Sequence, residues 1–454
     1  MSRDNRLKNI RNIKRTYLQS LLLLLLLNSC SYRPDVTQIK EEKLADYNPK
    51  HFQAQVSSEK AKKTKGEDDL IMKAIFYEQE GNFQKSNEYY SKLYDLTSNS
   101  EYMFREMRTA LYLGKKSKNI VKLESWVEKN PQNIQAKRIL ISFYLNEKKY
   151  DKAKRLSKLL ISQSHNPVDF ELAANPYIMT EEYKEAVELL TQAYNKTMNP
   201  DILLKITTIL ANYIGDVDEA VNRLERHRSS VSCDERVCLQ LAEIYSKKEK
   251  IDNLLSVYKA LYKNTKKDKY GVKIVEGYIY KKEIEKAIDF LQHEYSNSEL
   301  LYEMYLSKKD YAKAEKIAEE IYEKGKSPKW LAESAMALYE GATNKDDKNM
   351  LKKMSEKFNK AISEGAKDGV YLNYYGYTLI DKNLDIEKGI KLVKEALVKD
   401  EGNTYYLDSL AWGYYKQNRC EEAKIEMKKV VDIEGLEADD IRDHWTKIKA
   451  CKKK

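Results

Sequence analysis

Residues 372–431 read LNYYGYTLIDKNLDIEKGIKLVKEALVKDEGNTYYLDSLAWGYYKQNRCEEAKIEMKKVV, one pattern stated twice. In the second copy Leu407, Leu410, Ala411 and Tyr414 recur at helical spacing and form one apolar face. After a break at Gln417-Asn418-Arg419, Ala423, Met427 and Val430 form a second. The spacing predicts two helices that bury their stripes against each other. Small residues at Ala411 and Ala423 let the backbones approach, and Leu407, Tyr414 and Met427 fill the space around that contact.

The period is roughly 34 residues, that of a tetratricopeptide hairpin. The strings GYTLIDKNLDIEKGIKLVKEAL and YYLDSLAWGYYKQNRCEEA resemble the C-terminal signature of a bacterial tetratricopeptide-repeat (TPR) outer-membrane lipoprotein family, in which a GYTL-type helix precedes an LDSLGW-type helix. Ala411 stands where that family usually has Gly. The pattern extends upstream from Leu70, Ala74, Tyr77, Gly81, Phe83, Ser86 and Tyr90. The small position of the second helix falls on Ala153, Ala186, Ala220, Ala287, Ala314 and Ala423, with Tyr150, Tyr183 and Tyr311 three residues before it. Pro131, Pro167, Pro200 and Pro328 follow second helices, where a proline stops one helix without disturbing the next. The insert 344–348 implies a longer hairpin loop, and the copies around 202–226 and 248–261 match poorly enough to bend the array or break the count.

The expected fold is all-α: a right-handed α-solenoid of about 10–11 TPR-like hairpins ending in a C-terminal capping helix. Composition agrees, with 33% charged residues and only 7 prolines and 15 glycines in 454 residues. A solenoid adds one layer of core per repeat, so this length needs no single large core.

The first residues place Arg3, Arg6, Lys8, Arg11, Lys14 and Arg15 against Asp4, a contribution of 6 − 1 = +5 to a formal charge of +10. The remaining excess is too small to argue for nucleic acid. The apolar run Leu18–Leu27 that follows is shorter than the roughly 20 residues of a membrane span, and its order is that of a cleaved leader. Leu27-Asn28-Ser29-Cys30 resembles a lipobox, which implies lipidation of Cys30. Ser31, where an aspartate would signal inner-membrane retention, points to the periplasmic leaflet of the outer membrane. The domain reading is a signal peptide at 1–29, a disordered tether at 30–66, the solenoid at 67–436, and a capping helix with basic tail at 437–454.

In an oxidising compartment the other four cysteines suggest two disulfides, Cys233 with Cys238 and Cys420 with Cys451. A hairpin of helices turning near Gly435 sets Cys420 and Cys451 side by side, while the closer pair requires Cys233 to lie outside the helix, with Asp234 as its cap. A zinc site is the competing reading, but there is no CxxC and no paired histidine. The five histidines His51, His165, His227, His293 and His444 are scattered, and no HExxH, GxSxG, GxGxxG or Walker pattern occurs. No enzymatic activity, cofactor, metal or small-molecule substrate is expected. Of the 35 tyrosines, those at Tyr144, Tyr245, Tyr278 and Tyr414 read as packing residues.

The expected function is a periplasm-facing, lipid-anchored scaffold that binds protein partners of a cell-envelope machine through the concave groove. The alternative is a regulator of, or weak contributor to, a peptidoglycan- or polysaccharide-processing enzyme. In such arrays the first helix of each hairpin lines the groove. This places Asn373 and Tyr377 on one groove-lining face and Tyr405, Asp408, Trp412 and Tyr415 on the next. Trp412 lies outside the core stripe and would expose a large apolar area unless a partner covers it. The competing reading packs Trp412 on the final helix near Trp445, with Asp408 bonded to a neighbouring repeat.

Overall fold

The computed structural model describes residues 66–114 and 119–452. The leader 1–29, Cys30 and all but the last residue of the tether 30–66 lie outside them. Every regular element among the described residues is helical, and the chain divides into two compact units at Lys266/Lys267.

In the unit up to Lys266 twelve helices form six successive hairpins. They are α1 Glu67–Gln79 with α2 Phe83–Thr97, α3 Ser100–Tyr112 with α4 Ile120–Lys129, α5 Ile134–Asn146 with α6 Tyr150–Gln163, α7 Pro167–Met179 with α8 Tyr183–Thr197, α9 Pro200–Ile209 with α10 Val217–Ser230, and α11 Glu235–Lys247 with α12 Ile251–Thr265. In the unit from Lys267 eleven helices form five hairpins and a lone last helix. These are α13 Asp268–Tyr280 with α14 Ile284–His293, α15 Ser298–Lys308 with α16 Tyr311–Gly325, α17 Pro328–Gly341 with α18 Lys348–Ser363, α19 Gly369–Asp381 with α20 Ile386–Lys399, α21 Thr404–Lys416 with α22 Cys420–Glu434, and α23 Asp439–Lys449. The described residues thus hold eleven tetratricopeptide-type hairpins, six and five, the upper of the two counts expected.

The register read from the small residues holds throughout. Ala153, Ala186, Ala220, Ala287, Ala314 and Ala423 are all fully buried. Tyr150, Tyr183 and Tyr311 are each the first residue of a second helix. In the pair α19–α20 the small residues are both glycine, and a Cβ on Gly389 would meet the carbonyl oxygen of Gly376 at 2.6 Å. Pro167, Pro200 and Pro328 occupy the first helical position of α7, α9 and α17, where the missing N–H costs nothing.

One turn recurs within the hairpins. Two residues before the second helix the backbone is left-handed, at Lys148, Glu181, Glu249, Lys282 and Asn418, with φ between 52° and 63°. The next amide donates back to the carbonyl of a tyrosine: Lys149 to Tyr144 at 2.7 Å, Glu182 to Tyr177 at 2.9 Å, Glu283 to Tyr278 at 2.8 Å and Arg419 to Tyr414 at 2.9 Å. Those tyrosines are buried packing residues, as expected of Tyr144, Tyr278 and Tyr414. The poorly matching copy near 202–226 keeps its hairpin but ends its first helix in a π-helical turn, Leu210–Ile214, closed by Gly215 at φ 83°. The extra residue shifts the loop, which is why the sequence register weakens there. In the long loop before α18, Lys345 caps α17 by donating to the carbonyls of Tyr339 and Glu340, and Asp347 accepts from Met350 N at 2.7 Å as the N-cap of α18.

Candidate binding face on the last hairpins

The six expected groove residues lie on two consecutive first helices, α19 and α21. Asp368 and Asn403 start these helices, accepting from Val370 N at 3.0 Å and Tyr405 N at 3.1 Å. Leu407, Leu410, Ala411 and Tyr414 are buried in a core shared with Ile380, Ile390, Val393, Ala423, Met427 and Val430. Gly413 brings α21 against the preceding hairpin, since a Cβ there would meet Ile390 Cγ1 at 2.6 Å. Asn373 and Asp408 stand three residues before the small positions Gly376 and Ala411, and Tyr377 and Trp412 one after. The two pairs therefore occupy equivalent places in successive repeats.

What covers them differs from the expectation. Trp412 is 7% exposed, because α23 packs on both α21 and α22. The ring stacks on His444 with centroids 4.2 Å apart and planes 12° apart, and on Tyr415 at 4.9 Å. Lys416 and Lys447 place their ammonium groups 5.5 and 5.6 Å from its centroid. The competing reading is thus correct about the final helix, though the stacking partner is His444 rather than Trp445, which is half-buried at the edge of the same core. Asp408 is 2% exposed, and His444 Nδ1 donates to its Oδ1 at 2.8 Å. A buried carboxylate without such a donor would be costly, so this pair fixes α23 over α21.

Asn373, Tyr377, Tyr405 and Tyr415 are half-buried. Tyr377 lies 6.4 Å from the His444 ring. Two polar atoms in this region have no hydrogen-bond partner although both are buried: Asn373 Oδ1 and Trp412 Nε1. One is an acceptor awaiting a donor and the other a donor awaiting an acceptor.

Cys420 and Cys451 are bonded, with Cα atoms 5.6 Å apart, joining the start of α22 to the residue just past α23. Cys233 and Cys238 are also bonded. Cys233 lies outside α11, and Asp234 is its N-cap, accepting from Arg236 N at 3.0 Å.

Sequence reading missed a second polar assembly in this unit. Glu333 on α17 accepts from Tyr302 on α15 at 2.7 Å and from Tyr371 on α19 at 2.9 Å, so one carboxylate ties three successive first helices. Burial, followed by the charge of Glu333, pushes the Tyr371 phenol far above its usual range. Glu333 within the apolar run from Trp330 to Tyr339 was the only available signal. Among the described residues no group of three or more His, Cys, Asp or Glu could hold a metal ion. No described helix is long and apolar enough to cross a membrane.

No protein-family model matches the chain, and no curated protein matches it. Among solved structures it is similar to an APC/C hetero-tetramer of Cut9 and Hcn1, at 11% identity over 84% of this chain and 96% of that one, TM-score 0.35. It is similar to Naa15/Naa10 bound to HypK-THB, at 10% identity over 84% of this chain and 66% of that one, TM-score 0.32. A tetratricopeptide repeat protein from Parabacteroides merdae matches at 15% identity over 62% of this chain and 98% of that one, TM-score 0.27. Identities and TM-scores this low attach no partner or activity to this chain.

Proposed function

We propose that this chain is a scaffold that holds protein partners of a bacterial cell-envelope machine, anchored by lipid on Cys30 to the periplasmic leaflet of the outer membrane. The observation that carries the binding role is the repeated polar and aromatic set on α19 and α21: Asn373 with Tyr377, then Asp408 with Trp412, at the same register of successive repeats. With Asp408 and Trp412 covered by α23, the open part of this face is Asn373 and Tyr377 with Tyr405 and Tyr415, all half-buried, which offer hydrogen bonds and ring faces to a peptide segment. The leader and the Leu-Asn-Ser-Cys sequence support the anchor, and Ser31 supports the outer membrane.

Two experiments test this reading. A photo-crosslinking residue at Tyr405 recovers a defined partner from intact cells, whereas one at Val398, an 80% exposed residue on a second helix, does not. Equal recovery from both positions sinks the groove. Cys30→Ala releases the protein from the membrane fraction or leaves an unprocessed precursor, and normal processing with full membrane retention removes the anchor.

A further inference from the structure

We infer that α23 is a latched stand-in for a partner: it fills a pocket on α21 that recognises an arginine or histidine side chain of a protein segment, and the Cys420–Cys451 bond is the latch. The inference rests on the groove reading above and adds what the pocket accepts and what controls it.

The first observation is how little of α23 makes the contact. Of its eleven residues only Ile441, His444 and Ile448 are buried. His444 meets two demands of α21 at once, donating to the buried Asp408 at 2.8 Å and laying a flat ring on Trp412 at 4.2 Å. A planar side chain bearing N–H donors is therefore the chemistry this pocket selects. Arginine supplies the same donor and stacking plane with a permanent charge.

The second observation is that α23 fits imperfectly. It leaves Trp412 Nε1 buried and without a partner, and at the matching register on α19 Asn373 Oδ1 is likewise buried and without one. Such atoms cost free energy until they are satisfied. The backbone of an incoming segment carries C=O groups of the kind Trp412 Nε1 lacks and, one repeat earlier, N–H groups of the kind Asn373 Oδ1 lacks. A partner can thus make bonds here that α23 does not.

The third observation is the tether. The chain enters α23 through the short link 435–438, and beyond the helix Cys451 is tied back to Cys420. With both ends held, α23 returns to its place faster than a competitor can replace it. Reduction frees one end. A dithiol reductant attacks the half-buried Cys451 Sγ as its thiolate, the S–S bond breaks, and Cys420 leaves as a thiolate that takes up a proton. The second thiol of the reductant then displaces Cys451 and closes its own disulfide, so two electrons pass from the reductant to the protein.

The test uses the full chain and a fluorescent peptide of its own residues 437–450, EADDIRDHWTKIKA, as the probe. Cys420→Ser/Cys451→Ser opens the latch and keeps Cys233–Cys238 intact. Cys451→Ser serves where the double variant does not fold, as judged by hydrogen exchange over α1–α22. The opened protein is expected to bind the probe at least tenfold more tightly than the oxidised wild type. A probe with His444→Ala should lose at least tenfold, and one with His444→Arg should keep or gain affinity. Equal probe affinity for opened and oxidised protein, with unchanged exchange over residues 439–449, overturns the latch. Equal affinity for the His and Ala probes overturns the pocket. If the probe fails on opened protein while the Tyr405 crosslink still recovers a partner, this inference falls and the groove stands. A bound probe without any crosslinked partner is the reverse.

Discussion

At the scale of the single residue, burial decides what each polar group must do. His444 Nδ1 donates to the buried Asp408 Oδ1 at 2.8 Å, and removing it takes a hydrogen bond from a buried carboxylate. His444→Ala is therefore expected to destabilise the unit from Lys267 by about 3 kcal/mol, read in urea melts. A neutral effect would mean that water reaches Asp408. In the other unit, buried His227 bonds the Tyr194 hydroxyl through Nδ1 at 2.8 Å, and its Nε2 has no partner. Burial holds its pKa below the ordinary imidazole value. The sign follows from that direction: below about pH 6.5 the unfolded chain takes up a proton that the folded ring resists. Stability thus falls as the pH drops through this window and levels off below the folded pKa. The wild-type urea midpoint should decline on acidification from about pH 6.5, and His227→Gln should flatten that slope. An identical slope in the variant would assign the acid sensitivity to other groups.

At the scale of the element, hairpin geometry depends on two local devices. The first is the glycine contact between α19 and α20. A methyl on Gly389 has only the carbonyl of Gly376 and the side chain of Ile380 to enter, so Gly389→Ala should cost ~2 kcal/mol. Gly402→Ala, in open space, is the control and should be near neutral. The second device is the left-handed turn residue. Glu249 sits at φ 52° and is exposed, so its side chain adds strain without visible packing. Glu249→Gly should raise stability by about 0.5–1 kcal/mol, measured by thermal or urea melts. A loss there would show that the side chain contributes a contact in solution. The same argument applies to Lys148 and Glu181, where the sequence offers no glycine to mark the turn.

At the scale of the whole molecule, the Cys420–Cys451 bond and the last helix close the final hairpin, while Cys233–Cys238 ties the link between α10 and α11 to the start of α11. Four of the five cysteines pair, so unreduced, denatured protein should show no free thiol from Cys233, Cys238, Cys420 or Cys451. Two or more would mean that one bond is absent. The 31-residue separation of Cys420 and Cys451 makes the entropic part of that bond about 3–4 kcal/mol. Cys420→Ser/Cys451→Ser should therefore melt earlier, with the loss concentrated in α21–α23 by hydrogen exchange.

The hairpins, their register and the cysteine pairing were legible in the residues, because each follows from short-range physics. A 3.6-residue stripe must be buried, a small residue marks each close contact, and a chain reversal at Gly435 brings two cysteines into reach. The turn at Lys148, Glu181 and Glu249 was hidden, since a repeated hydrogen-bond pattern holds non-glycine residues in a conformation that composition does not advertise. The π-helical turn at Leu210–Ile214 shows in the residues only as a weak register ahead of Gly215. Trp412 and Asp408 mark the limit most clearly. The sequence by itself determined that they lie off the core stripe of α21, but which helix lies over that face is set by contacts 36 residues apart in the chain, Asp408 with His444. Only the tertiary structure could decide that a position open in an isolated hairpin is closed by the last helix.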